Sequence, residues 1–286
     1  MTRAPETEVS LGRGWWTGDR WEQRIFFRLP DDYAEESLLD RIDGMLPVER
    51  DTALIANLVV DPGGNAIGAA RTCELSAGDR ELLLLSLRRR MFGNAMPCLL
   101  QCPACDERMD LDLKVDDLIV QPRGEPQLQY DDVIEVDGER FRVTFHLPTG
   151  GDIEKAVREA PSNPARAARS LAENCIDAVA EESALTGPGP EEWPESLVAE
   201  VAARVEGLDP QAEIKMQMTC PGCGHSFEQC MDTGGYLAQE LAARQRVKYQ
   251  EVHQLARAYH WSEADILRMG PRKRQLYLEL LAADHE

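Results

Sequence analysis

Two copies of one tetrapeptide, Cys102-Pro103-Ala104-Cys105 and Cys220-Pro221-Gly222-Cys223, restrict this chain more than any other feature. A Cys-x-x-Cys turn aims two thiolates at one centre, and two such turns complete the tetrahedral shell of four sulfurs that zinc prefers. Gly224 follows the second copy at the place where a knuckle closes with positive φ; the first copy has Asp106 there, a tolerated substitute. The flanks argue for knuckles rather than for a redox dithiol at a helix N-terminus, where the dipole lowers a thiol pKa. Asp106 to Val115 and Ile214 to Thr219 alternate polar and apolar residues, as strands do, so each pair is expected to cap a β-hairpin. The expectation is one structural zinc ion on Cys102, Cys105, Cys220 and Cys223. Rubredoxin-like iron, a dithiol or no metal are the competing readings. The pairs stand over a hundred residues apart, so the ion would clip together remote parts of the chain. His225 is the one substitute ligand in view. Cys73, Cys98, Cys175 and Cys230 are expected to be buried thiols.

A second regularity runs in step with the first. Phe27-Arg28-Leu29-Pro30 recurs as Phe145-His146-Leu147-Pro148, and each phenylalanine lies 75 residues ahead of the first cysteine of its pair. Both tetrapeptides end a strand-like run (Arg24 to Leu29, Phe141 to Leu147) and precede an acidic helical stretch. A helix then leads to each knuckle, capped by Ser76-Ala77-Gly78-Asp79 in the first case and opened by Pro194-Glu195 in the second. An internal duplication is the expectation, each copy supplying half of the metal shell, with chance recurrence of so short a tetrapeptide as the alternative. The expected fold class is therefore α+β: two helix-plus-β-hairpin halves sharing a zinc-ribbon-like four-cysteine site, with an all-helical C-terminal tail. The boundaries read as an N-terminal arm at 1–22, a first repeat at 23–127, a second repeat at 128–232 and the tail at 233–286.

Within this plan, Asp132 to Val136 and Glu139 to Phe145 read as a hairpin around Asp137-Gly138. Thr149 or Asp152 caps a helix towards Glu159, and Pro164 to Val179 reads as another. Leu185 to Pro194 is a loop, and Asp61 to Gly68 a turn. The tail is expected to form a helix from Tyr236 to Tyr259, with Leu237, Leu241, Val247, Val252, Leu255 and Ala256 on one face. A short helix capped at Ser262 follows, and after Gly270-Pro271 another from Arg272 to Ala283, with Leu276, Tyr277, Leu280 and Leu281 as its buried stripe. Arg272-Lys273-Arg274 reads as a solvated face or a local partner for the acidic body, with an anion-interaction site as the alternative.

Charge and composition narrow the function. Acidic residues outnumber basic ones 51 to 31, a formal charge of −20. That balance disfavours nucleic acid or an anionic membrane as partner. The longest apolar runs, such as Leu82 to Leu85, fall far short of a membrane span. The polar stretch from Met1 to Arg20 shows no apolar signal core, so a cytoplasmic protein is expected, in which cysteines serve as ligands or thiols rather than disulfides. No phosphate loop, His-Glu-x-x-His or nucleophile elbow occurs, and the five histidines have no spacing that ties them to a nucleophile. A non-enzymatic protein with no small-molecule substrate is the expectation. Trp15, Trp16 and Trp21 are either interface anchors or side chains tucked onto their own domain.

Taken together, several stretches resemble a family of zinc-motif proteins from contractile phage tails and phage-tail-like injection systems, similar to the T-even phage baseplate hub-assembly protein. They are Gly78 to Leu83 with the helix that follows, Cys102 to Cys105, Phe145 to Asp152, Leu208 to Ile214, Cys220 to His225, and Glu251 to Leu267. The resemblance runs from about residue 70 to 283. It implies a baseplate component or assembly factor whose partners are other baseplate, hub or tail proteins. It further implies production in the bacterial cytoplasm, with or without retention in the finished particle. A zinc-ribbon adaptor unrelated to tails and a redox or electron-transfer protein are the alternatives.

Overall fold

The computed structural model describes residues 8–120, 125–181 and 193–283. The fold starts with an antiparallel sheet of β1 (Glu8–Trp16), β2 (Trp21–Phe27) and the short β3 (Val59–Val60), in that order. Within the N-terminal arm read from the sequence, residues 8–16 and 21–22 are strand. Val9, Leu11 and Trp15 enter the main core, while Trp16 stays 41% exposed. The register of β1 against β2 breaks between Ser10 and Trp15. The buried Asp79 carboxylate fills that break, accepting the N–H groups of Gly12 (2.6 Å), Arg13 and Gly14 (2.6 Å). A buried carboxylate is tolerated where backbone donors satisfy it.

Against this sheet pack α1 (Asp32–Ile42), α2 (Pro47–Leu58), α3 (Gly68–Glu74) and α4 (Ala77–Phe92). Ser76 caps α4 by accepting the Asp79 N–H, and Gly93, at φ 90°, ends it. Leu83, Leu84 and Leu87 of α4 meet Ile25, Leu54, Ile55 and Leu58 in the largest core. The chain then forms the hairpin β4 (Ala95–Gln101) and β5 (Arg108–Lys114), followed by a single turn, α5 (Val115–Leu118).

A second three-stranded sheet follows: β6 (Tyr130–Val136), β7 (Glu139–Phe145) and β8 (Ile176–Glu181). Asp137 (φ 52°) and Gly138 (φ 84°) make the tight turn that the Asp-Gly pair demands. Between β7 and β8 lie α6 (Gly150–Glu159), with a Thr149/Asp152 capping box, and α7 (Pro164–Asn174). The helix expected to reach Val179 thus stops at Asn174. The segment after Cys175 has a stronger option: an antiparallel ladder on β7, where Ile176 joins Phe141, Val143 and Phe145 in a second core. Helix α8 (Glu195–Leu208) covers that core with Leu197, Val198 and Val201, and leads into the hairpin β9 (Lys215–Thr219) and β10 (Ser226–Cys230). Most of the loop expected at Leu185 to Pro194 lies outside the described residues.

Among the described residues, the order hairpin, two helices, third strand, helix, knuckle hairpin therefore occurs twice, from β1 to β5 and from β6 to β10, with α3 extra in the first pass. Even single hydrogen bonds correspond. Arg28 N–H donates to the Leu58 carbonyl ahead of β3, and His146 N–H to the Cys175 carbonyl ahead of β8, both at 2.9 Å.

The chain closes with α9 (Thr233–Tyr259), α10 (Glu263–Leu267) and α11 (Pro271–Ala283). Leu237 and Leu241 place the start of α9 in the first core; Val252 and Leu255 place its end against Ile266 and Leu267. Two sequence assignments fail here. Val247 is 56% exposed, and on α11 Leu276 (60%) and Leu280 (56%) face outward. The packed side of α11 is Tyr277, Leu278 and Leu281, because the buried Arg274 turns inward to Glu251 and Asp32. Arg244 and Lys248 of α9 likewise close on the buried Glu35 of α1.

Candidate metal centre

The four cysteines expected to act together do meet. Cys102 Sγ lies 3.7 Å from Cys223 Sγ, Cys105 Sγ lies 3.6 Å from Cys220 Sγ, and all four sulfurs fall within 4.8 Å of one another. Neither contact is a disulfide, which needs sulfurs about 2.05 Å apart. Sulfurs at the corners of a tetrahedron with zinc–sulfur bonds of about 2.3 Å stand roughly 3.8 Å apart. The spacing is compatible with zinc.

Each knuckle is shaped by its own backbone. In the first, Cys102 N–H donates to the Glu107 carbonyl (2.9 Å) and Asp106 N–H returns to the Cys102 carbonyl (3.0 Å). In the second, Cys220 pairs with His225 and Gly224 in the same pattern, both bonds at 2.9 Å. Asp106 (φ 60°) and Gly224 (φ 75°) occupy the positive-φ positions read from the sequence. The first cysteine of each pair is buried and the second exposed, so the cluster sits at the rim with its inner half in a small apolar seat. Met109, Leu100, Met218 and Phe227 form that seat. Below it, Leu85 of α4 and Ile214, just ahead of β9, pack with Met96 and Val115.

The thiols are electrostatically interdependent. The amides of Cys223 and Gly222 hold the Cys220 thiol down at about 7. Glu107 N–H favours the Cys105 thiolate, but the neighbouring sulfurs, Cys223 first, outweigh it and push Cys105 up to about 12. Four thiols so close do not all ionise without a cation among them; a metal binding there displaces protons.

His225 stacks on Phe227 at 6.1 Å rather than joining the cluster. Of the other cysteines, Cys175 is buried as expected, Cys73 and Cys98 only half-buried, and Cys230 is exposed, its Sγ 3.1 Å from Glu213 on the outer face of β10. Sequence reasoning missed a second group of ligand-type side chains: His146, Asp152 and Cys175, whose donor atoms also lie within 4.8 Å of one another. No spacing signals it, because Cys175 reaches His146 only through the β7–β8 ladder. Among the described residues no helix is long and apolar enough to cross a membrane.

Fold and site together define an acidic protein of small antiparallel sheets and helices, with a four-cysteine metal-type cluster drawn from two remote hairpins. The chain belongs to the T4 bacteriophage base plate protein family, which matches residues 49–233, close to two thirds of its length. The match holds both knuckles and the His146 group; it begins ahead of residue 70 and ends where α9 begins, so the tail lies outside it. No curated protein and no solved structure matches the chain.

Proposed function

We propose that this protein is a non-enzymatic baseplate component or assembly factor of a contractile, phage-tail-like injection system, held together by one structural zinc ion on Cys102, Cys105, Cys220 and Cys223. Family membership across residues 49–233 carries the reading, and the four convergent sulfurs support the metal. An all-thiolate shell leaves the ion no open position for water, as suits a structural rather than a catalytic centre. The partners are other baseplate, hub or tail proteins, and the protein is made in the cytoplasm of the producing bacterium. An acidic surface of this kind favours steering towards basic protein faces over nucleic acid.

The chain reads further as two tandem units, 23–127 and 128–232, with the strand at 8–16 added to the first. The repeated order of elements and the paired hydrogen bonds of Arg28 and His146 support a duplication. In this reading the zinc sits between the copies, each giving one Cys-Pro-x-Cys. Affinity purification of the tagged protein from a producing cell, under mild conditions, tests the function. Tail, sheath or hub proteins are expected alongside it, and their absence overturns the proposal.

A further inference from the structure

The two halves share a backbone plan, so a group of side chains present in one and missing from the other is not required by that plan. His146 follows β7, Cys175 precedes β8, and the His146 N–H to Cys175 carbonyl bond extends the ladder by one pair. Asp152 comes down from the first turn of α6, where its Oδ2 accepts the N–H of Thr149 (2.9 Å) and the Thr149 hydroxyl (2.6 Å). The corresponding positions in the first half are Arg28, Leu58 and Ala34, for the same ladder bond runs from Arg28 to Leu58 and Asp31 caps α1 through the Ala34 N–H. That half closes its sheet and starts its helix with no imidazole, thiol or carboxylate at these places.

We propose that His146 Nε2, Asp152 Oδ2 and Cys175 Sγ form a second metal site, for a divalent ion of the zinc class, independent of the four-cysteine centre. Nε2 lies 3.3 Å from Asp152 Oδ2, longer than the 2.7–2.9 Å usual for a charge-assisted hydrogen bond. Ligands at bond lengths of about 2.0–2.1 Å in a tetrahedron stand roughly 3.4 Å apart. The outer partners are those that metal-binding histidines use: Asp177 Oδ1 lies 3.0 Å from Nδ1, which fixes the tautomer that bares Nε2, and Gln129 Nε2 donates to the other Asp177 oxygen at 3.1 Å. Cys175 is 2% exposed, so its sulfur is shielded from competing thiols. Nitrogen, oxygen and sulfur together suit zinc, cobalt or nickel rather than calcium or magnesium. Three protein ligands leave one corner to water, so this ion exchanges faster than one held by four thiolates.

Metal counting on the full chain tests the proposal. Protein saturated with zinc and passed over a desalting column is expected to carry two equivalents. His146→Gln and Cys175→Ala, each still folded by circular dichroism, carry one fewer than wild type. The pair Cys102→Ser/Cys220→Ser keeps one, now dependent on His146. Zinc content unchanged in both His146→Gln and Cys175→Ala overturns the site. Should either variant fail to fold, cobalt titration of the wild type decides. Two saturable phases, the weaker with less intense sulfur-to-cobalt absorption, support the site; a single phase ending at one equivalent refutes it.

Discussion

Loss of the proposed four-cysteine zinc should weaken the whole molecule and not one hairpin, and the structure sets the size of the effect. The contact between Cys105 and Cys220 closes a loop of 115 residues. Removing a cross-link over a loop of that length returns roughly 5 kcal/mol of chain entropy to the unfolded state. Unfolding entropy of about 2.1 cal/mol/K per residue, over a chain of this size, turns that into a fall in Tm of about 8 °C. Cys102→Ser and Cys220→Ser should each show it. With one ion serving both knuckles, as proposed, the double variant should melt within about 1 °C of either single one, a strong departure from additivity. Calorimetry, with hydrogen exchange on β4–β5 and β9–β10, makes the measurement. Additive losses would mean that each knuckle is stabilised separately, and an unchanged Tm with local fraying alone would refute the bridging argument.

Three further outcomes follow from buried contacts. Arg88, 2% exposed, meets Glu240 through two bonds of 2.9 and 2.8 Å, so Glu240→Ala strands a buried cation and should cost about 3–5 kcal/mol in urea denaturation. Gly78 touches the Asp209 carboxylate so closely that an added methyl would collide with it; Gly78→Ala should displace Asp209, break the 2.9 Å bond to Gly78 N–H and cost about 1–3 kcal/mol, while an unchanged midpoint would disprove the close approach. Burial, reinforced by Asp51 and Asp232, pushes the Glu81 carboxyl up to about 7. A carboxyl raised on folding contributes its full stability below its unfolded pKa, near 4.5, and that contribution disappears as pH rises through 7. Glu81→Gln should therefore out-melt wild type at pH 8, by at most about 3 kcal/mol, and lose that advantage by pH 4; a constant difference across that range would contradict it.

What the sequence made legible was whatever depends on neighbours along the chain. Ser76, Thr149 and Ser262 announce their helices because a cap is a bond across three residues, and Asp137-Gly138 announces its turn through backbone sterics. Both knuckles were readable for the same reason, and their convergence because four thiolates at matched spacing have few other uses. The misreadings came where a distant partner decides. Ile176 to Val179 carries no more strand signal than helix signal, until the exposed edge of β7 claims it. On α11 the heptad-like leucines suggested one stripe, but the ion pairs of Arg274 with Asp32 and Glu251 rotate the helix so that Leu276 and Leu280 point away. His146 and Cys175 could not be paired before the ladder between them was known.

Helix α9 has a mechanical consequence. It leaves the second knuckle hairpin with a cap at Asp232 and runs 27 residues, about 40 Å, to the terminal bundle. Over such a span, a pivot of 5° at the end beside the second knuckle swings the far tip by roughly 3–4 Å. The grip of Glu35 on Arg244 and Lys248 sits partway along and acts as a fulcrum. With arms of roughly 20 Å on either side of it, a push on the outward leucines of α11 reaches the end of α9 beside the sulfur cluster at about the amplitude with which it arrives, so the cluster takes up outside load directly.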